Sequence, residues 1–354
     1  MEPEKTQPDN PTRQNDPDGV GHLPVLPHEV LELLNPQPGQ VVLDCTVGRG
    51  GHGALLIPRL GPGGRYIGLD MDPGNVAYSR ERLGPIAEEA GVDLDVIHAN
   101  FRDVRGVLEQ SGVAGVDGLL ADLGFASNQM DDPTRGLAFS EDGPLDMRLD
   151  TGSTVTAATL VNTMPESELA DLIYEFGEER LSRRIARKIV EQRQVEPINT
   201  TSRLAELVRR AYPRPKRNPK QPGRRPWSPR SRNRGHRIDP ATRTFMALRI
   251  AVNDELGALD GLLAEVPRLL NPGHINTGET IPGGGRAAII SFHSLEDRRV
   301  KRAFAALGMR DDFTVLTRKP LTAGDDEAGH NPRSRSAKLR GIQRTAQAHD
   351  TTTQ

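Results

Sequence analysis

The chain has 354 residues, enough for two domains or for one domain with a large insertion. Its 46 Lys+Arg balance 48 Asp+Glu, so net charge selects no partner, and its one cysteine, Cys45, excludes an internal disulfide and fits a reducing compartment. No apolar run approaches the ~20 residues of a membrane span.

Residues 1–20, within "MEPEKTQPDNPTRQNDPDGV", are polar and lack the apolar centre of a signal peptide; they read as a disordered tail of a cytoplasmic protein. From Leu31 short apolar runs alternate with helical stretches. "QVVLDC", "GRYIGLDMD", "DLDVIHANF" and "VDGLLADLG" are strands, and helices run through "GALLIPRL" and "NVAYSRERL" between them. Strands alternating with helices predict a parallel sheet covered on both faces, so residues 21–125 form the first part of an α/β core. The rhythm then breaks. Leu169, Leu172, Ile173, Phe176, Leu181, Ile185 and Ile189 recur at helical spacing, and "TTSRLAELVRRAY" adds a helix with a Thr/Ser start. Residues 126–237 are therefore an inserted helical domain. It ends in a Pro/Arg-rich loop, 213–237, that can neither continue a helix nor bury a core. Residues 238–354 return to the core and end in a C-terminal tail. There Asp239-Pro240 starts one long helix carrying Phe245 through Val266, and "GRAAIIS" is a fifth strand.

Charge is concentrated in one place: Leu207 to Arg237 holds twelve Lys/Arg and no acid. Arg224, Arg225, Arg232 and Arg234, with Trp227 as a stacking group, suit RNA or a ribosomal surface rather than DNA or a membrane.

"LDCTVGRGGHG" contains the G-x-G-x-x-G spacing at Gly48, Gly50 and Gly53, yet Asp44 stands four residues ahead of the first glycine. A dinucleotide would bring a pyrophosphate there, which the carboxylate repels; a cationic cofactor such as S-adenosylmethionine, with its ammonium and sulfonium, is favoured. Asp70, twenty residues beyond Gly50, is placed to accept from ribose hydroxyls. Phe101, after the third strand, either stacks on adenine or joins the core. Asp122 and Phe125 follow the fourth strand, where an acceptor and an aromatic ring can hold an exocyclic amine, although Asp122 could equally contact the cofactor. "SFHSLEDRR" brings His293, Glu296 and Asp297 into one loop without a hydrolase elbow or a metal-ligand pattern; its reading is substrate contact or proton handling.

The blocks "HLPVLPHEVLELL", "DCTVGRGGH", "GLDMDP", "DLGFASNQMD", "RIDPATRTFMALRIAVNDEL", "SFHSLEDRRVKR" and "NPRSRSAKLR", spread from His22 to Arg340, resemble the signature blocks of the ribosomal RNA small subunit methyltransferase H family (MraW/RsmH). The resemblance implies an α/β, class I (Rossmann-like) methyltransferase core with an inserted α-helical domain. It implies methyl transfer from S-adenosylmethionine to N4 of a cytidine in the decoding centre of 16S ribosomal RNA, with no metal required. It places cofactor contacts on Gly50, Gly51, His52, Asp70, Phe101, Asp122 and Gln129, to which the charge argument adds Asp44. The proton acceptor stays unnamed, with Phe125 and His293 the candidates for catalysis. One departure stands out: the family's D-L-G-V-S-S reads "DLGFAS", so Phe125 and Ala126 replace valine and serine.

Overall fold

The computed structural model describes residues 23–126, 129–130, 132–213, 239–272, 275–276, 279–280 and 284–345. The main sheet has seven strands. They are β1 (Val41–Asp44), β2 (Arg65–Asp70), β3 (Asp93–His98), β4 (Gly118–Asp122), β5 (Arg286–Ser291), β6 (Phe313–Val315) and β7 (Lys338–Arg344). Their order is β3-β2-β1-β4-β5-β7-β6, with β1 to β5 mutually parallel and β7 antiparallel to both of its neighbours. This is the class I core that the resemblance implies.

β1 sits where the winding reverses: Leu43 pairs with Ile67 of β2 on one side and Leu119 of β4 on the other. Such a switch point opens a crevice at the carboxyl ends of the strands. The central strands β1, β2, β4 and β5 are buried on both faces, which is why they read as nearly continuous apolar runs. Successive side chains feed opposite layers. Leu43 joins a cluster completed by helices α4 (Val104–Gln110), α10 (Glu255–Leu269) and α11 (Ser294–Leu307), whereas Val42 joins one with α1 (Pro27–Leu34), α2 (Gly53–Leu60) and α3 (Pro73–Ala90).

The inserted helices are α5 (Ala157–Thr163), α6 (Glu166–Gly177), α7 (Ser182–Arg193), α8 (Thr201–Ala211) and α9 (Ala241–Asn253). Thr156 and Thr200 cap α5 and α8 through their side chains, the second at the Thr/Ser start read from the sequence. Asp239 accepts the Ala241 N–H at the head of α9 at 2.8 Å.

Two sequence expectations change here. The single helix from Phe245 to Val266 is two helices, because Asp254 takes a left-handed conformation at φ 45° and ψ 43°. Phe245 and Leu248 of α9 pack among the inserted helices, while Leu259, Leu263 and Val266 of α10 pack on the sheet. Between residue 238 and Asp254 the chain thus packs mainly among the inserted helices, and beyond Asp254 on the sheet. The other change is that "KLRGIQR", which the sequence left without an element inside residues 238–354, is the strand β7 inside the sheet. Its charged residues disguise it. Arg340 is buried only because its guanidinium Nε lies 2.7 Å from Asp297 Oδ1.

α6 and α9 approach closely at Gly177, where an added Cβ would lie 2.7 Å from the Arg243 carbonyl oxygen. Gly177→Ala is expected to destabilise the inserted helices by about 1–3 kcal/mol, read as an earlier urea midpoint of the helical circular-dichroism signal. An unchanged midpoint would mean that the two helices do not pack this tightly.

Candidate active site

The turn from β1 into α2 carries the three spaced glycines, and they serve two different purposes. Gly48 and Gly50 take positive φ values of 54° and 75°, which the reversal of the turn needs. Gly50 and Gly53 also allow close approach. A Cβ on Gly50 would sit 3.0 Å from Leu83 Cγ, and one on Gly53 would sit 2.8 Å from the Tyr66 hydroxyl oxygen. The helix start is thus drawn onto α3 and β2.

That approach determines where Asp44 goes. Tyr66 donates its hydroxyl to Asp44 Oδ2 at 2.7 Å, and the Thr46 N–H donates to Asp44 Oδ1 at 3.0 Å. Asp44 is buried. Burial pushes its carboxyl above the usual range, against the opposing pull of the Tyr66 hydroxyl and the nearby His52. The expectation that Asp44 faces the cofactor is therefore corrected: its carboxylate is spent beneath the turn and does not line the cavity. Gly50, whose missing side chain makes room for Leu83, is not among the residues that line the cavity described next.

The cavity lies over the carboxyl ends of β1, β2, β4 and β5 and has a volume of about 380 Å³, within the range of small-ligand sites. Gly51, His52, Asp70, Phe101, Asp122, Phe125, Gln129 and His293 all line it, although they are scattered along the sequence. Cys45 lines it too, but burial keeps its thiol protonated.

Asp70 ends β2 and organises the turn from beneath. Its Oδ2 accepts from Gly48 N–H at 2.9 Å and its Oδ1 from Asp72 N–H at 2.8 Å. Burial outweighs these bonds and raises its carboxyl to about 6. Asp122 ends β4. Its carboxyl is also raised to about 6, by burial first, against the pull of His52. His52 Nδ1 lies 3.8 Å from Asp122 Oδ2, and His52 Nε2 donates to the Val25 carbonyl at 2.9 Å, which fixes the ring. Asp122 Oδ1 is buried and has no hydrogen-bond partner among the described residues. Such an acceptor costs free energy unless a ligand's donor or positive charge reaches it.

Gln129 faces the cavity but spends its polar atoms on the protein. Its amide nitrogen donates to Asp72 Oδ2 at 2.8 Å and its oxygen accepts the Ala126 N–H at 2.9 Å. Arg135 reaches the same Asp72 oxygen at 2.9 Å, so the loop after β4 is tied to the head of α3. Gln129 shapes the wall of the cavity.

The sequence reading missed Arg249 and Glu255. The Arg249 guanidinium lies 4.7 Å from the centre of the Phe125 ring and holds both oxygens of Glu255, at 2.8 and 2.9 Å. This pair bridges the break at Asp254, so a sequence read as one straight helix hides it. The cation backs the Phe125 ring where it borders the cavity. Arg224, Arg225, Trp227, Arg232 and Arg234 lie outside the described residues.

Comparison with known proteins agrees with this arrangement. The MraW methylase family matches residues 19–345. Proteins named ribosomal RNA small subunit methyltransferase H are similar along nearly their whole length. The one from Geobacter sp. (strain M21) is 42% identical over 338 residues, 91% of this chain and 98% of its own. The Acidobacterium capsulatum protein is 44% identical over 326 residues, covering 91% and 98%. That of Deinococcus deserti is 46% identical over 324 residues, covering 91% and 93%.

Tyr66→Phe removes the hydroxyl that satisfies Asp44 Oδ2 and leaves a buried acceptor bare. The expected loss of stability is about 1–3 kcal/mol, seen as a lower melting temperature. A variant that melts with the wild type would mean that this hydrogen bond does not anchor the turn.

Proposed function

The chain belongs to the MraW methylase family, and from that premise we propose that it transfers a methyl group from S-adenosylmethionine to N4 of a cytidine in the decoding centre of 16S ribosomal RNA, acting in the cytoplasm. The observation that carries this reading is the pair of half-buried carboxylates, Asp70 and Asp122, bordering one cavity at the switch point of the sheet.

The residues present fit the cofactor. Asp122 Oδ1 is an unpartnered buried acceptor suited to a cationic ligand, and Asp70 at the end of β2 suits ribose hydroxyls. Phe101 offers an apolar wall for adenine, and Gly51 brings backbone to the cavity without a side chain. A pyrophosphate would meet Asp122 and Asp70 instead of a bare helix start, which argues against a dinucleotide. The anionic wall that the sequence attributed to Asp44 belongs to Asp122. S-adenosylmethionine, when bound, supplies an electrophilic methyl group on a sulfonium that is already a good leaving centre.

The chain contributes position and desolvation. Phe125, backed by Arg249, presents a ring face on which a cytosine can stack. His293 borders the same cavity from the loop after β5. The basic run 213–237, with Arg224, Arg225, Trp227, Arg232 and Arg234, would hold the RNA backbone by charge and stacking.

Radiolabelled methyl from S-adenosylmethionine is expected on a single cytidine of undermethylated small ribosomal subunits, as N4-methylcytidine after nuclease digestion. Label on another base or atom would overturn the assignment. Asp70→Asn is expected to abolish most cofactor binding while the protein stays folded, whereas wild-type affinity in that variant would remove Asp70 from the site.

The raised carboxyls add a pH signature. Both Asp70 and Asp122 protonate as pH falls through about 6, and a protonated carboxyl no longer offers a full charge to a cation or to hydroxyl donors. Affinity for S-adenosylmethionine is therefore expected to fall by about tenfold per carboxylate between about pH 7 and pH 5, measured by calorimetry. A flat profile would mean that neither carboxylate meets the cofactor in ionised form.

A further inference from the structure

Besides Asp122, one other residue lining the cavity carries buried polar atoms without a hydrogen-bond partner among the described residues: His293, in both of its ring nitrogens. The His293 side chain is 9% exposed, and its Nε2 lies 3.2 Å from Glu296 Oε1, one turn into α11. Glu296 is itself buried, yet it is held charged. Burial alone would raise its carboxyl, but His293 and the Phe292 N–H, which donates to Oε2 at 2.8 Å, reverse this and hold it below the ordinary range. The His293 N–H adds a second contact to Oε2 at 3.3 Å.

Glu296 Oε1 is within ion-pair distance of Nε2 but outside hydrogen-bond geometry, so its charge favours the tautomer with the proton on Nε2, in which Nδ1 carries the lone pair at the N-cap of α11. We propose that His293 Nδ1 accepts the proton that leaves the target amine, with Glu296 as its positioning residue. The proposal rests on the methyl-transfer reading above and supplies the acceptor that the family signatures leave unnamed. As the amine nitrogen forms its bond to the methyl carbon, the carbon–sulfur bond breaks and its electron pair goes to sulfur. One amine proton passes to Nδ1. The imidazolium formed is stabilised by Glu296 and returns the proton to water after product release. Before transfer, the same lone pair can accept the amine N–H and draw the nitrogen out of conjugation with the ring.

The charged groups around His293 are consistent with this role. Glu255 has a ligand atom within 4.8 Å of those of His293 and Glu296, but both of its oxygens are held by Arg249. That ion pair is near neutral as a unit, so Glu296 is the counter-ion nearest the ring. Asp122 at the end of β4, whose carboxyl carries the His52 contact, and Arg333, whose charge acts on Asp122, line the same cavity.

The test is single-turnover methyl transfer to undermethylated small subunits at saturating S-adenosylmethionine, followed across about pH 5.5 to 8.5, where an imidazole titrates. The wild-type rate should rise with pH to a plateau. His293→Gln should lower the plateau by about 100-fold or more and remove the acid limb, with S-adenosylmethionine affinity unchanged within about twofold. His293→Ala should regain part of its rate on addition of imidazole. Glu296→Gln should keep most of the plateau and move the acid limb to lower pH, because the imidazolium loses its counter-ion. Independently of activity, nitrogen-15 NMR of histidine-labelled, cofactor-free protein at pH 8 should show His293 protonated on Nε2 only, the resonance being assigned by its loss in His293→Gln.

An unaffected His293→Gln enzyme, a lowered plateau with the wild-type pH shape and no imidazole rescue, or a proton on Nδ1 would each overturn the dyad while leaving the methyltransferase reading intact. A wild-type enzyme that labels no cytosine amine would overturn that reading and the dyad with it.

Discussion

The hydrogen bond from Tyr66 to Asp44 organises the site without touching the cavity. It exists because Gly53 has no side chain, so the start of α2 can settle against the tyrosine ring, and because β1 and β2 are paired in register at Asp44 and Gly68. The Thr46 hydroxyl donates to Asp44 Oδ1 at 3.4 Å and accepts the Asp122 N–H at 2.6 Å, which ties the end of β4 to the same turn. Asp70 secures the other side through Gly48. Three aspartates at three neighbouring strand ends thus have separate tasks. One is structural, one both shapes the turn and borders the cavity, and one borders it with an oxygen that no described residue satisfies.

The second constraint is the junction between the inserted helices and the core. Asp254 breaks the backbone between α9 and α10, and Arg102, beside Phe101, hydrogen-bonds to it. Across the cavity, Glu178 at the end of α6 accepts from Ser294 at 2.7 Å and from Arg298 at 3.0 Å, both on the helix that follows His293. The insertion is thereby pinned to the loops on two sides of the cavity. Arg249 extends the same logic, since it joins Phe125 on one side to Glu255 on the other. Exposed ion pairs of this kind contribute little stability individually. Their consequence here is geometric: the ring that borders the cavity and the histidine loop are positioned by elements from both domains.

Much of this was legible in the residue order. The strands β1, β2, β4 and β5 carry runs buried on both faces, so hydrophobicity alone marked them, and the Thr/Ser start marked α8. The placement of Asp70, Phe101, Asp122 and His293 at strand ends followed from the rule that such sheets bind ligands there. What remained hidden has a common cause. β7 is polar in sequence because its charge is neutralised by Asp297, 43 residues away. The break at Asp254 follows no proline or glycine, so no local signal announced it.

The sequence by itself determined which chemistry the chain could support: acidic strand ends for a cationic cofactor, a glycine turn, a histidine beside carboxylates, and the family to which these belong. Only the tertiary structure decided which acid does which work. A carboxylate's role depends on whether its oxygens are already satisfied and how far it is from water, and those properties come from neighbours such as Tyr66, His52 and Arg249 that no local window contains. Asp44 and Asp122 are equally acidic in the sequence; burial and hydrogen bonding separate them.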